Sequence, residues 1–487
     1  MPLANPSTHQ LIAHITQKST FMKQDIASNA KTTISVIGHT NVGKTSLLRT
    51  LLRDSYFGEV KNASATTRHV AAVQILSDDG KPLVTLHDTP GLEDASGVMD
   101  FIQDHTDGRA DGVERLQTFL RAVAEHDGNL EGDFSQEAKV IKSLIDADIA
   151  IYVIDAREPV LSKYKDELAI LASSGTPILP VFNFIHQGQD NLEIWREMLS
   201  RRVLHIACRF DTVAFDFDNE MQLWTHLATL SNQDPAIVQL INERRVAWQN
   251  LLESGSQMIA DFLVNVASFS QKIDEKDDPA PTLSRMQNAV RQAESILHER
   301  LLTQYRFYNE SVSGDLPTIS GETLDIFDGD LLSRYGIRTA GGSVTGMLIG
   351  AGIDAATLGA SLGLGTAIGG VLGGILPNTG AIKDKAMGVQ TLSIDQATVT
   401  LLAARAQSLH HHLRHRGHAS LSAITADGTT LPWQSDKPPS AIRKARAHPE
   451  YSSLSGSYDE KVNLRSDLAD DLAELLVAHV ESLGSEV

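Results

Sequence analysis

The sequence predicts an α/β domain with a mostly parallel sheet and helices on both faces, followed by a mainly α-helical domain with a glycine-rich hairpin. Short β-branched runs alternate with helical stretches from Thr32 to Leu230, the pattern of a parallel sheet buried on both faces. Beyond Pro235 the apolar spacing becomes that of long helices. From Gly341 to Leu376 glycine recurs at four-residue intervals in a stretch whose only charge is Asp354.

Residues 1–31 are polar with a weak stripe (Leu11, Ile12, Ile15, Phe21, Met22, Ile26) and read as a helical lead-in. The α/β domain spans 32–230, with TTISVIG, HVAAVQIL, PLVTLHDT, DIAIYVIDA, PILPVFNF and VLHIACRF as its strands. A long interval, 92–147, separates two of them. Its middle is helical and its ends are rich in Asp and Gly, so it reads as an inserted, partly mobile subdomain. Residues 231–487 form the helical domain. Two long helices flank DEKDDPAPT, whose acids and prolines mark a turn and an antiparallel pair. The tail from Leu421 to Glu450 reads as loop, and LADDLAELLVAHVESL as a closing amphipathic helix.

Among 487 residues, 42 Lys and Arg against 61 Asp and Glu leave a formal charge of −19. That balance repels polyphosphate on average and excludes broad nucleic-acid coating. Cys208 is the single cysteine, so no internal disulfide forms and a reducing compartment is expected. The chain opens without the charged start and apolar core of a secretory signal. The cytoplasm is the expected address, with peripheral attachment at an inner membrane as the variant.

Gly38-His39-Thr40-Asn41-Val42-Gly43-Lys44-Thr45 matches G-x-x-x-x-G-K-[ST] between a strand and a helix. The glycines let successive N–H groups and a helix N-terminus point at a phosphate. Val42, Ser46 and the other loop residues lie in the cradle. Lys44 reaches the terminal phosphates, and the Thr45 hydroxyl ligates Mg²⁺. His87-Asp88-Thr89-Pro90-Gly91 closes a later strand: Asp88 would hold the Mg²⁺ shell through water, and the Gly91 N–H would meet a γ-phosphate. Between the two lies Ser64-Ala65-Thr66-Thr67-Arg68, from which Thr67 is the favoured metal ligand and catalytic contact. At these residues the chain resembles the Era and TrmE branch of the GTPases, which implies GTP/GDP and Mg²⁺ as cofactors. Asn41 stands where potassium-activated members of that branch bind K⁺, which makes K⁺ the candidate second cation.

Two departures stand out. The base-reading N-K-x-D is replaced by Asn183-Phe184-Ile185-His186, in which only the Asn fits, and Asp190 could stand in only if its loop folds back. GTP over ATP therefore rests on family likeness. Leu92 follows D-x-x-G where Ras-like enzymes place a water-orienting Gln; Glu93, Asp94 or an insert residue is the candidate substitute. DIAIYVIDAREPV and the helix after it resemble a bacterial family in which a GTPase precedes a domain named DUF3482. The implied function is GTP binding with slow Mg²⁺-dependent hydrolysis, switching the contacts of the C-terminal domain with an unidentified protein partner. A non-hydrolysing nucleotide-bound scaffold and a dynamin-like membrane-associating GTPase are the alternatives.

Glycines at 342, 346, 350, at 359, 363, and at 365, 369, 373 share helical faces that admit a second backbone. Residues 341–376 read as a hairpin packed within the helical domain, a reversible membrane-docking hairpin, or an interface with another protein or copy; Asp354 sits at the turn. The histidines of LHHHLRHRGH read as a solvated basic helix face rather than a metal site, Asp155 as a helix N-cap, and Cys208 as a buried strand residue.

Overall fold

The computed structural model describes residues 32–54, 70–125, 134–185, 191–274, 276–307, 319–320, 326–327, 353–356, 389–418, 420, 424–425, 430–455 and 463–484. The chain forms two compact units, Met1–Ala247 with His415–Ser420, and Trp248–Arg414 with Leu421–Val487. They part at Ala247, where the sequence reading sets the boundary at residue 230. The lead-in 1–31 lies outside the described residues.

The first unit is built on a six-stranded sheet ordered β2-β3-β1-β4-β5-β6. Its strands are β1 (Thr32–Ile37), β2 (Ala71–Leu76), β3 (Pro82–Asp88), β4 (Ile149–Asp155), β5 (Ile178–Asn183) and β6 (Cys208–Arg209). Only β2 runs antiparallel, against β3. Every position of β4 is buried, as expected where helices cover both faces. Val36 pairs with Asp88 of β3 and Ile151 of β4, and Asp155 with Asn183. The carboxyl ends of four strands thus line one edge, where an open α/β sheet binds its ligands.

The loop after β1 leads into α1 (Lys44–Leu52), and between β3 and β4 run α2 (Ala95–His105), α3 (Gly112–Glu125) and α4 (Ser135–Asp146). Val98, Ile102, Leu116 and Phe119 share one core with Ile37 and Tyr152 of the sheet. The insert is therefore a layer of the domain rather than a separate body: its helices each bury an apolar stripe on the sheet's own core. Tyr164 and Leu168 of α5 (Ser162–Ser173) and Trp195 of α6 (Leu192–Ser200) join the same core.

α7 (Phe217–Leu230) contributes Glu220, fully buried, which ion-pairs with Arg53 at 3.3 Å and Arg244 at 3.8 Å. α8 (Pro235–Ala267) starts in this unit. The Thr32 hydroxyl donates to Asp234 at 2.6 Å, the Asp78 N–H to Glu243 at 3.2 Å, and Arg244 to the Leu51 carbonyl at 2.7 Å.

The second unit is mainly helical, comprising the remainder of α8, α9 (Ala280–Gln304), α10 (Gln396–Arg414), α11 (Ser440–Ala445) and α12 (Asn463–Gly484). A three-stranded antiparallel sheet, β7-β10-β9, adds Ser270–Asp274, Val389–Ile394 and Ile353–Ala356, with β8 (Ile319–Ser320) pairing elsewhere. The two expected long helices and the closing helix are present. Three expectations change. Of the glycine-rich segment only Ile353–Ala356 is described, and Asp354 there lies in a strand paired with Ser393, not at a turn. The stretch read as loop contains α11, because Ala441, Ile442 and Ala445 bury one face. The histidine run is no solvated face: Leu409, His410 and Leu413 point into the core, and Tyr305 and His410 are 2.9 Å apart. Burial pushes the His410 pKa down to about 3. Among the described residues no helix is long and apolar enough to cross a membrane, and no cluster of His, Cys, Asp and Glu could hold a metal. Cys208 is buried in β6, and desolvation pushes its thiol up to about 12, an inert setting.

Candidate functional site

β1 ends at Ile37 because the chain must turn: Gly38 to Gly43 form a loop that feeds α1. Gly43 has φ 93, and a Cβ there would collide with the Asn183 amide. Glycine is required on both counts. Asn41 holds φ 65 and is exposed, a conformation that asparagine tolerates better than most residues. The first turn of α1 then presents the amides of Lys44, Thr45 and Ser46 at the sheet edge, a ready anion site.

Lys44 is 7% exposed and its Nζ donates to the carbonyls of Gly38 (3.1 Å) and His39 (2.7 Å). Desolvation lowers its pKa from 10.5 to about 8, against the opposing charges of Asp88, Glu167 and Glu93. Thr45 donates its hydroxyl to Asp88 Oδ2 at 2.7 Å. Asp88 Oδ1 is buried without a hydrogen-bond partner, and burial raises the carboxyl's pKa. A buried carboxylate with one bonded and one orphaned oxygen is destabilised by its isolation. A hard cation beside the Thr45 hydroxyl fits this donor set, and oxygen ligands are what Mg²⁺ takes.

The loop after Asp88 is pinned along its length. The Thr89 hydroxyl donates to the Val36 carbonyl (2.7 Å), and the Leu92 N–H to the Gly38 carbonyl (3.2 Å). Gly91 packs against Thr40 so closely that a Cβ has no room. Leu92 is 1% exposed in the apolar core. Glu93, by contrast, is exposed, and Thr40 of the phosphate loop donates to its Oε1 at 2.6 Å. Asp94 is occupied as the N-cap of α2, accepting from the Gly97 N–H at 2.8 Å. Its own N–H donates to Glu137 of α4, a buried carboxyl with a pKa raised by desolvation.

On the other side, Asn183 is 1% exposed and joins three segments. Its Nδ2 donates to the Val42 carbonyl at 3.0 Å, while Oδ1 accepts from the Phe184 N–H and from the N–H and hydroxyl of Thr212 at 3.1 Å each. Phe184, in the position of the absent lysine, lies under the Arg157 guanidinium at 4.1 Å. Arg157 is held by both carboxylate oxygens of Asp155 at 2.9 and 2.7 Å. Asp155 thus anchors an arginine and caps no helix; the N-cap of α5 is Leu161.

The structure brings Gly38, Asn41, Val42, Gly43, Lys44, Thr45, Ser46, Asp88, Gly91 and Asn183 to one edge. Thr67 and Asp190 lie outside the described residues. Sequence reasoning missed a buried network behind the loop. His39 Nδ1 is 2.8 Å from Glu167 Oε1, its Nε2 is 2.8 Å from Lys163 Nζ, and Tyr152 donates to Glu167 Oε2 at 2.8 Å. The available signal was an acid, Glu167, on the same buried face as Tyr164, Leu168 and Leu171 of α5.

The family model described as a domain of unknown function, DUF3482, matches residues 196–474, more than half of the chain. The chain belongs to the DUF3482 family. In this DUF3482 member, residues 33–184 match a second family model, described as a 50S ribosome-binding GTPase. The amino-terminal unit is a GTP-binding P-loop GTPase domain, and its mostly parallel sheet agrees. Similar solved structures include a protein from Thermus thermophilus, 17% identical over 35% of this chain and 22% of that one, TM-score 0.22. Era from Aquifex aeolicus, Y63A bound to GDP.AlF4-, is 14% identical over 47% and 67%, TM-score 0.25. A probable GTP-binding protein engB is 13% identical over 42% and 99%, TM-score 0.24. The chain spans about a fifth of the Thermus protein's length. No curated protein matches the chain.

Proposed function

We propose that this DUF3482 member is an Era-like, nucleotide-dependent switch that binds GTP with Mg²⁺, hydrolyses it slowly, and alters the contacts of its C-terminal unit. Thr45 and Thr67 would ligate the metal directly, and Asp88 through water; Asn41 is the residue through which K⁺ would act. Bound there, the cation neutralises charge on the triphosphate. Lys44 holds the terminal phosphates, and Gly91 offers its N–H to the γ-phosphate.

The observation that carries the hydrolytic reading is the contrast between Leu92 and Glu93. The leucine is sealed in the core, and the carboxylate next to it hangs on Thr40 of the phosphate loop. A carboxylate there can accept a hydrogen bond from an attacking water; Asp94 and Glu137 are engaged with backbone amides of α2 and of Asp94 itself. Slowness follows because a single exposed carboxylate lacks the enclosed preorganisation that gives electrostatic catalysis its strength.

Phosphate release in a single turnover tests this. Glu93→Ala, which removes the acceptor outright, is expected to slow hydrolysis about 100-fold, the low end for loss of a positioned acid–base group, with GTP affinity changed by no more than about threefold, well under one hydrogen bond to a charged group. Wild-type rates should be higher in KCl than in NaCl. Retention of full activity by Glu93→Ala rejects its role, and a wild-type protein that binds GTP yet releases no phosphate is a scaffold.

A further inference from the structure

The segment His415–Ser420 belongs with the nucleotide unit, although the chain on either side of it, Trp248–Arg414 and Leu421–Val487, forms the other unit. It lies across the loop that follows β6. The Phe215 N–H donates to the His415 carbonyl and the Gly417 N–H to the Val213 carbonyl, both at 3.0 Å, with Arg416 bridged antiparallel to Ala214. Gly417 is buried so tightly on the Thr212 carbonyl that a Cβ there would overlap it. Arg416, 6% exposed, donates to the Ser420 carbonyl at 2.8 Å and closes the segment on itself.

Thr212 is the residue that grips Asn183, and Asn183 is the residue that grips Val42 in the phosphate loop. An unbroken line of backbone contact and hydrogen bonds therefore runs from Gly417 through Thr212 and Asn183 to the loop. The chain lacks an N-K-x-D, so this wall stands without the lysine and aspartate that would otherwise be expected beside the base. α10 ends at Arg414, and the segment begins at the next residue.

We infer that His415–Ser420 is a strap by which the C-terminal half of the chain braces the base-side wall, so that Gly417 is a positioning residue for nucleotide retention. The strap also gives nucleotide state a covalent route to α10, separate from the loops around Asp88. This rests on the reading of the site as a guanine-nucleotide cradle.

The test is release of a fluorescent GDP analogue, mant-GDP, from the full-length chain with Mg²⁺, comparing wild type with Gly417→Val. The side chain must push the strap off Thr212 and cost at least one hydrogen bond. Release about tenfold faster is expected, the factor that about 1.4 kcal/mol represents, with a circular dichroism spectrum like wild type. Hydrogen exchange in the wild-type chain gives the reciprocal reading: peptides spanning 415–420 should exchange more slowly with saturating GDP. A folded Gly417→Val that releases at the wild-type rate overturns the strap. So does exchange across 415–420 that ignores GDP, which decides the matter alone if the variant does not fold. A wild-type chain that binds no mant-GDP removes the cradle and the strap together.

Discussion

Lys44→Met weakens GTP binding at least about a hundredfold and at the same time stabilises the nucleotide-free protein. Both effects come from one buried charge. With a triphosphate present, the ammonium makes two or three charge-assisted contacts at about 1.5–3 kcal/mol each, and methionine makes none. Without nucleotide, the ammonium is desolvated against the carbonyls of Gly38 and His39. A depression from 10.5 to about 8 corresponds to about 3 kcal/mol of destabilisation of the folded state at neutral pH. The sign follows from proton counts. Below pH 8 both folded and unfolded chains carry the proton, and the cost is constant. Between pH 8 and 10.5 the unfolded chain holds the proton more tightly, so wild-type stability gains with rising pH. Urea denaturation of nucleotide-free protein at pH 7 and pH 9.5 measures this: wild type should gain, and Lys44→Met should start higher and miss that gain. Equal pH dependence in the two proteins would falsify the account of a strained lysine, and an unchanged Kd would remove Lys44 from the site.

Glu294→Ala unfolds the second unit at markedly lower denaturant. Glu294 of α9 accepts from Arg405 Nε of α10 at 2.8 Å, and the two residues are 7% and 4% exposed. Truncating the carboxylate leaves a guanidinium inside the core, a change that costs about 3–5 kcal/mol where a domain's whole stability is about 5–15 kcal/mol. Replacing both partners, as Glu294→Met with Arg405→Met, should restore most of that loss, because packed apolar side chains need no counter-charge. The urea midpoint at constant slope reads the difference. A single variant as stable as wild type would show that Arg405 needs no counter-charge from Glu294.

The phosphate loop was legible from sequence because its physics is local. Gly43 must take a positive φ, Lys44 must follow it, and a helix must start there, all within eight residues. Asp88 was legible for the same reason, standing at the end of a buried strand. Leu92 was legible as a missing glutamine, but the preference for Glu93 over Asp94 needed the structure, since nothing in E-D distinguishes a carboxylate on Thr40 from one capping a helix. Asn183 was recognised, yet its tie to Thr212 depends on where β6 ends. The histidine run was misread because charge and polarity on a helix suggest solvent, whereas His410 is neutral at ordinary pH inside a bundle whose partners, Tyr305 among them, come from far along the chain. α11 escaped notice because six residues are too short for a periodicity. Long-range pairing is what a single sequence conceals.

That the nucleotide fold incorporates residues 415–420 has a consequence for biosynthesis. The sheet and its helices are translated by Ala247, yet the stretch that lies on Thr212 is made only after α9 and α10. At about 5–20 residues per second, the emerging polypeptide spends on the order of ten seconds or more with this wall unsupported. A nascent or prematurely terminated product would thus hold its ligand loosely, and a firm grip becomes a property of the finished chain.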